Sequence, residues 1–129
     1  AMGCVDGRPW HVGIRDPHGT GLAATVAVQG REAVVTSGSY ERWRVVDGVR
    51  RTHILDPATA APAAALDSVT VIHRSAALAD AAATALLVAG PQRWPAVAQR
   101  LGVDEALVID RDGRQSCLPC LASRWQRRR

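Results

Sequence analysis

The sequence predicts an α+β fold in which one main helix and one short helix pack on a face of an antiparallel sheet. Short apolar stretches between turn residues supply the strands, and Asp47-Gly48 between two of them is a strong hairpin signal. One alanine-rich run, residues 76–89, supplies the main helix. A chain of 129 residues has room for a single domain of this kind, to which we assign residues 1–123.

The strands are identified by alternating apolar and polar residues or by short β-branched runs between turn signals. The predicted strands are residues 9–15, 22–28, 32–36, 42–46, 49–54, 67–73, 106–109 and 115–118. The alanine-rich residues 58–65 are predicted to form a loop rather than a helix.

The boundaries of the helices follow from their flanking residues. Ser75 is of the residue type that caps a helix N-terminus, and Gly90-Pro91 has the order typical of a helix end. Residues 95–101 are predicted to form the short helix, which Gly102 ends.

Asp80 and Thr84 are polar residues inside the apolar main helix. They are one helical turn apart and therefore lie on the same side of it. If this helix is buried, the carboxylate needs a bound cation, an arginine or a hydrogen-bond network beside it.

Composition and charge limit the functional classes. Hydrophobic residues make up 47% of the chain and aromatic residues 4%, which predicts an aliphatic core. All sixteen basic residues are arginine, and four of them lie in residues 124–129; the other twelve balance twelve acidic residues. Because the body is neutral, we predict no nucleic-acid binding and a solvated basic tail at residues 124–129.

Membrane and cysteine signals are weak. No apolar run is long enough to span a bilayer, and no basic segment followed by an apolar one marks an export signal.

Cys117 and Cys120 have the Cys-x-x-Cys spacing of redox and zinc sites. They do not precede a helix and no second pair accompanies them, so we expect two small apolar residues in a terminal strand.

Several motifs follow one another in a fixed order. They are Pro-Trp-His-Val-Gly-Ile-Arg-Asp-Pro (9–17), Thr-Ser-Gly-Ser-Tyr-Glu-Arg (36–42), His-Ile-Leu-Asp-Pro-Ala-Thr (53–59), Ser-Val-Thr-Val (68–71) and Ala-Asp-Ala-x-x-Thr-Ala (79–85). This set resembles the C-terminal half of the ApbE family, the magnesium-dependent FAD:protein FMN transferases, over residues 6–109. Members of that family are more than twice as long, and Ala60 stands where they usually have glycine.

The resemblance implies roles for six residues. Asp80 and Thr84 match metal ligands of the family and are expected to bind magnesium. Thr36, Ser37, Gly38 and His53 are expected to bind FAD, and His53 is also the candidate catalytic residue, in removing a proton from the acceptor hydroxyl.

Each role has a structural alternative. Asp80 could pair locally, and Thr84 could hydrogen-bond back to its own helix. His53 could equally order the Asp56-Pro57 turn that follows it, while Asp56 is better explained as a turn-former than as a ligand. Residues 36–38 could be an ordinary end of a strand.

The resemblance implies the transfer of FMN from FAD to a threonine or serine of an acceptor protein, by a chain truncated at its N-terminus. The alternative is an inactive or partner-dependent family fragment that does not bind FAD alone. Such a fragment would self-associate as a homo-oligomer or bind a partner chain that supplies the missing half. Family members often act outside the cytoplasm, although no export signal is visible in this sequence.

Overall fold

The computed structural model of the protein describes residues 4–119 and 124–127. The elements in chain order are β1 (Cys4–Val5), β2 (Arg8–Pro9), β3 (His11–Arg15), β4 (Leu22–Ala27), β5 (Ala33–Gly38), β6 (Trp43–Val46), β7 (Val49–Thr52), β8 (Leu66–His73), α1 (Ala76–Arg100), β9 (Ala106–Asp110), β10 (Gln115–Cys117) and β11 (Trp125–Arg127). They form a four-stranded sheet in the order β10-β9-β8-β5, a three-stranded sheet in the order β11-β4-β3, and two hairpins. Every described strand pair is antiparallel, which confirms the predicted fold class.

The four-stranded sheet has its centre at β8, which is buried along almost its whole length. Because successive side chains of a strand point to opposite faces, β8 contributes to two cores. Val69 and Val71 pack in the core under α1, whereas Ile72 packs in the core shared with β3 and β4. The sequence predicted a helix on one face of the sheet; the structure also places the three-stranded sheet against the other face.

Helix α1 begins directly after Ser75, as predicted from the residue type of this N-cap. The Ser75 hydroxyl accepts a hydrogen bond from the backbone N–H of Leu78 at 3.3 Å. Gly90 interrupts the helix with φ 76° and ψ 178°, and the second helical segment continues to Arg100. The sequence predicted that the second helical segment begins at residue 95, but in the structure it begins at Pro91. Proline is tolerated at the first position of a helix, where no N–H donor is needed. No helix in the described part of the chain is long and apolar enough to cross a membrane.

The β6–β7 hairpin confirms the Asp47-Gly48 turn. Both residues have positive φ values, 53° and 74°, as a two-residue turn of the type that matches strand twist requires. The described parts of β6 and β7 pair with each other and with no third strand.

The start of the predicted basic tail lies inside the fold. β11 pairs with β4, and Trp125 packs against the core between the two sheets. The Arg124 side chain is 9% exposed and forms ion pairs with Glu32 and Glu105. The boundary predicted at residue 124 therefore differs from the structure, because two acidic residues distant in sequence neutralise this arginine.

The loop that follows β7 is organised by Asp56. Its carboxylate accepts a hydrogen bond from the Ala58 N–H at 2.9 Å, and its carbonyl accepts one from the Ala60 N–H at 2.8 Å. Asp56 is thus the turn-former that the sequence indicated, and residues 58–65 form a loop as predicted.

Ala60→Gly is expected to raise the free energy of unfolding by about 0.5–1 kcal/mol. Ala60 has φ 55°, a left-handed conformation that costs a residue with a Cβ roughly 1–2 kcal/mol. Part of this gain is offset by the greater freedom of glycine in the unfolded chain. Ala58→Gly, in the same turn but without a positive φ, is the matched control and should be neutral or destabilising in urea unfolding. A loss of stability in both variants would contradict the strain at Ala60.

Candidate active site

An open cavity of about 620 Å³ lies at the end of β5, against α1 and the chain that follows β7. The residues that line it are Thr36, Ser37, Gly38, Tyr40, Glu41, Arg42, His53, Ile54, Leu55 and Thr84. Five of the six site residues named from the sequence are among them. They come from three separate parts of the chain, so folding is what brings them together.

Hydroxyl groups form one wall of this cavity. The hydroxyl oxygens of Ser37 on β5 and Thr84 on α1 are 3.0 Å apart. On the other face of β5, the hydroxyl oxygen of Thr36 lies 2.8 Å from that of Thr70 on β8. A hydroxyl can donate as well as accept, so Ser37 can turn its single proton from Thr84 toward an anion in the cavity.

Thr84 also hydrogen-bonds back to its own helix. Its hydroxyl donates to the backbone carbonyl of Asp80 at 3.4 Å, the structural alternative that the sequence left open. This bond and the contact with Ser37 hold the Thr84 hydroxyl at the cavity wall.

Asp80 is exposed, so its carboxylate does not need the compensating partner that burial would require. The buried side of α1 at this level consists of Ala79, Ala82 and Ala83, and Asp80 lies outside it. Asp80 does not line the cavity, although it is one turn from Thr84. In the part of the chain that the structure describes, no side chain forms an ion pair with it.

Gly38 allows Tyr40 to pack over the end of β5. A Cβ atom at position 38 would lie 2.6 Å from Cε1 of the Tyr40 ring, closer than two carbon atoms can approach. Burial and the negative charge of Glu41 raise the pKa of Tyr40, an effect that Arg15 partly offsets. Tyr40 therefore keeps its phenolic proton at neutral pH.

His53 is oriented by a backbone carbonyl. Its Nδ1 lies 3.1 Å from the carbonyl oxygen of Arg42, which can only accept, so Nδ1 carries the proton. In the neutral ring Nε2 then has an available lone pair and can accept a proton. The alternative role of ordering the next turn finds no support, since the Asp56 side chain organises that turn itself.

The structure adds Tyr40, Glu41 and Arg42 to the cavity, and none of them was assigned a role from the sequence. Arg15 fixes Glu41 through an ion pair of 2.7 Å. The signal that could have found these residues is their position directly after Gly38, where the chain must turn across the end of the strand.

The cysteine pair lies partly outside the described residues. Cys117 on β10 is opposite Leu107 and packs against the core between the sheets, as expected of a small apolar residue. Cys120 is not among the residues that the structure describes.

Comparison with known proteins gives matches to the ApbE family and to FAD:protein FMN transferases. The sequence model of the ApbE family matches residues 1–108. The FAD:protein FMN transferase of Rhodobacter capsulatus is 44% identical over 125 residues, which cover 97% of this chain and 24% of that protein. The FAD:protein FMN transferase of Treponema pallidum is 46% identical over 107 residues, which cover 81% of this chain and 30% of that protein.

Solved structures agree with these matches. The crystal structure of the ApbE protein from Thermotoga maritima superposes with a TM-score of 0.84 at 36% identity, covering 98% of this chain and 41% of that one. The apo form of the Pseudomonas stutzeri flavinyl transferase ApbE gives a TM-score of 0.75 at 33% identity, covering 95% and 39%.

The fold and the cavity thus define an α+β protein similar to flavin transferases. The chain belongs to the ApbE family, which confirms the resemblance seen in its ordered motifs. It spans 24% and 30% of the length of the two curated relatives named above.

Proposed function

We propose that the cavity beside His53 binds FAD, and that the chain takes part in the transfer of FMN from FAD to a threonine or serine of an acceptor protein. The observation that carries this proposal is that Thr36, Ser37, Gly38, His53 and Thr84 line one cavity. The names of the relatives, FAD:protein FMN transferases, support FAD as the substrate.

The lining residues suit the pyrophosphate of FAD. The Ser37 hydroxyl can donate its proton to a phosphate oxygen, and Arg42 adds positive charge to the same cavity.

Asp80 and Thr84 are the residues that would hold magnesium. This ion prefers oxygen ligands and usually binds through one or two carboxylates, water and substrate phosphates. The exposed Asp80 carboxylate has no ion-pair partner among the described residues, so it is available as a ligand. Residues 4–119 and 124–127 contain no group of three or more His, Cys, Asp or Glu that could hold a metal. Asp80 and Thr84 therefore fit a partial ligand set, in which a magnesium ion would neutralise charge on the pyrophosphate.

The proposed reaction is a phosphoryl-type transfer. The hydroxyl oxygen of the acceptor forms a bond to the phosphorus on the FMN side of FAD. The bond from that phosphorus to the bridging oxygen breaks, and AMP leaves with the electron pair. Nε2 of His53 accepts the hydroxyl proton, since Nδ1 already donates to the Arg42 carbonyl.

The second candidate is a family fragment that folds but does not bind FAD without a second copy or a partner chain. Apolar side chains exposed on the β6–β7 hairpin favour this candidate, because such patches mark association.

Titration with FAD, followed by flavin fluorescence with and without magnesium, tests the proposal. Binding is expected to require magnesium and to weaken at least about tenfold in Asp80→Asn, since even outer-shell partners of metals contribute about 10–100-fold. Asp112→Asn, which changes an exposed carboxylate of the β9–β10 turn, is the control and should bind as the unchanged protein does.

Two other results would decide against parts of the proposal. If Asp80→Asn binds FAD as tightly as the unchanged protein in the presence of magnesium, Asp80 is not a magnesium ligand. Absence of FAD binding by the folded chain, together with self-association in sedimentation velocity, would favour the second candidate.

A further inference from the structure

The β6–β7 hairpin presents apolar side chains to solvent. Trp43, Val45, Val46 and Val49 are between 44% and 61% exposed. In the described part of the chain, β6 and β7 pair only with each other, so the outer edge of each strand has backbone groups without a strand partner. Strand edges with exposed apolar side chains are a surface on which an extended polypeptide can bind.

Two arginines face each other across this hairpin. Arg44 is directly opposite Arg51, and like charges in this position repel. Within the described residues no carboxylate forms an ion pair with either of them. The nearby Glu41 already pairs with Arg15 at 2.7 Å. An acidic group placed between Arg44 and Arg51 would relieve this repulsion.

The order of basic and apolar residues on this face of the hairpin indicates which residues a bound segment should have. Val46 is opposite Val49, and this pair lies two residues along the strand from the Arg44–Arg51 pair, on the same face. An extended segment that complements this face has an acidic and an apolar residue two positions apart.

A groove connects this face with the cavity beside His53. It has a volume of about 610 Å³, and Arg44, Val46 and Arg51 are among its lining residues. Arg42 and His53 line both the groove and the FAD cavity. A segment bound along the hairpin can therefore extend to His53.

We propose that the β6–β7 hairpin is the docking site for the acceptor protein. An extended acidic segment of the acceptor pairs with an edge of the hairpin, places a carboxylate on the face that carries Arg44 and Arg51, and brings the accepting hydroxyl to His53. This inference rests on the proposed function. The strand edges and exposed valines distinguish a polypeptide from a nucleotide, which would need the arginines alone.

Fluorescence anisotropy with a labelled peptide tests this proposal in the absence of FAD and magnesium. The probe is a short peptide of alternating glutamate and valine with one central threonine. The chain is expected to bind it and to lose at least about tenfold in affinity in the double variant Arg44→Glu, Arg51→Glu. Arg111→Glu, which reverses an exposed charge in the β9–β10 turn, should leave the affinity unchanged.

Two altered peptides separate charge from backbone pairing. Replacing the glutamates with glutamine should weaken binding by a similar factor, and N-methylation of alternate peptide groups should abolish strand pairing. If the charge-reversed variant does not fold, as judged by circular dichroism, Arg44→Gln with Arg51→Gln gives the same comparison with a smaller change.

Four results would overturn the inference. These are equal binding of the glutamate and glutamine peptides, unchanged binding in the Arg44 and Arg51 variants, displacement of the peptide from the hairpin by FAD, or a homodimer that Arg44→Glu dissociates. The last would assign the hairpin to a second copy of the chain. The peptide is titrated without FAD, so the two proposals are tested separately. A peptide that does not bind says nothing against FAD binding, and a chain that does not bind FAD can still bind the peptide.

Discussion

Replacing Arg124 with methionine is expected to lower the free energy of unfolding by roughly 3 kcal/mol. The arginine side chain is 9% exposed, and its two terminal nitrogens lie 2.9 Å and 3.2 Å from the two carboxylate oxygens of Glu32. The same guanidinium contacts Glu105. Without it, two partly buried carboxylates would lose the guanidinium that both of them contact, which the charge of Arg74 near Glu32 only partly replaces, and β11 would lose its attachment to the start of β5. Urea unfolding measures this loss.

The pH dependence of stability provides a second measurement. Burial acts to raise the pKa of Glu32, but hydrogen bonds from Arg124 and from the backbone of Gln29, with the charges of Arg124 and Arg74, hold that pKa below its ordinary value. A carboxyl whose pKa is lower in the folded state stabilises the protein above its unfolded pKa, and this contribution is lost as the pH falls through the folded pKa. The free energy of unfolding should therefore fall as the pH is lowered from the unfolded pKa of Glu32 through its folded pKa. In Arg124→Met this fall should be less steep.

Matched variants show whether the charge or the packing of Arg124 matters. Arg111→Met, at an exposed position of the β9–β10 turn, should change stability little. Adding Glu32→Gln and Glu105→Gln to Arg124→Met should restore part of the stability, because no unpaired carboxylate then remains. A loss below about 1 kcal/mol in Arg124→Met would mean that the three charged groups contribute little net stability.

Arg124 also shows what the sequence could not predict. Its neighbours along the chain indicate a basic tail, but its partners Glu32 and Glu105 are 92 and 19 residues away. The Ser75 cap and the Asp47-Gly48 turn were predictable because their signals are local. The stacking of β3, β4 and β11 on the central sheet depends on long-range pairing, which no local pattern contains.

The ordered motifs predict which residues meet in the cavity, but they do not predict the position of Asp80. The ordered motifs named Thr36, Ser37, Gly38, His53 and Thr84, and these residues share one cavity. The exposure of Asp80 was not predictable, because alanine is tolerated on both the buried and the solvent side of a helix. An alanine-rich helix therefore has no apolar stripe that indicates which side is buried.

For the FMN transfer proposed above, His53→Gln is expected to lower the rate by about 10²–10⁴-fold, the contribution typical of a positioned proton acceptor. The glutamine amide can still donate a hydrogen bond to the carbonyl of Arg42, which His53 contacts at 3.1 Å, but it cannot accept a proton as imidazole does. Single-turnover transfer from FAD to an acceptor protein measures the rate, and FAD fluorescence measures binding separately. Because the change removes only proton acceptance, the affinity for FAD should stay nearly constant.

A control histidine and chemical rescue distinguish proton transfer from a structural role of His53. His11→Gln alters an exposed histidine on β3, outside the cavity, and should leave the rate unchanged. Adding imidazole to His53→Gly should restore part of the rate, because a free imidazole can occupy the vacated space and accept the proton. A His53→Gln variant that transfers FMN at the original rate would show that the acceptor hydroxyl loses its proton to another group. If the rate and FAD affinity fell together without rescue, His53 would instead be a binding residue of the FAD cavity.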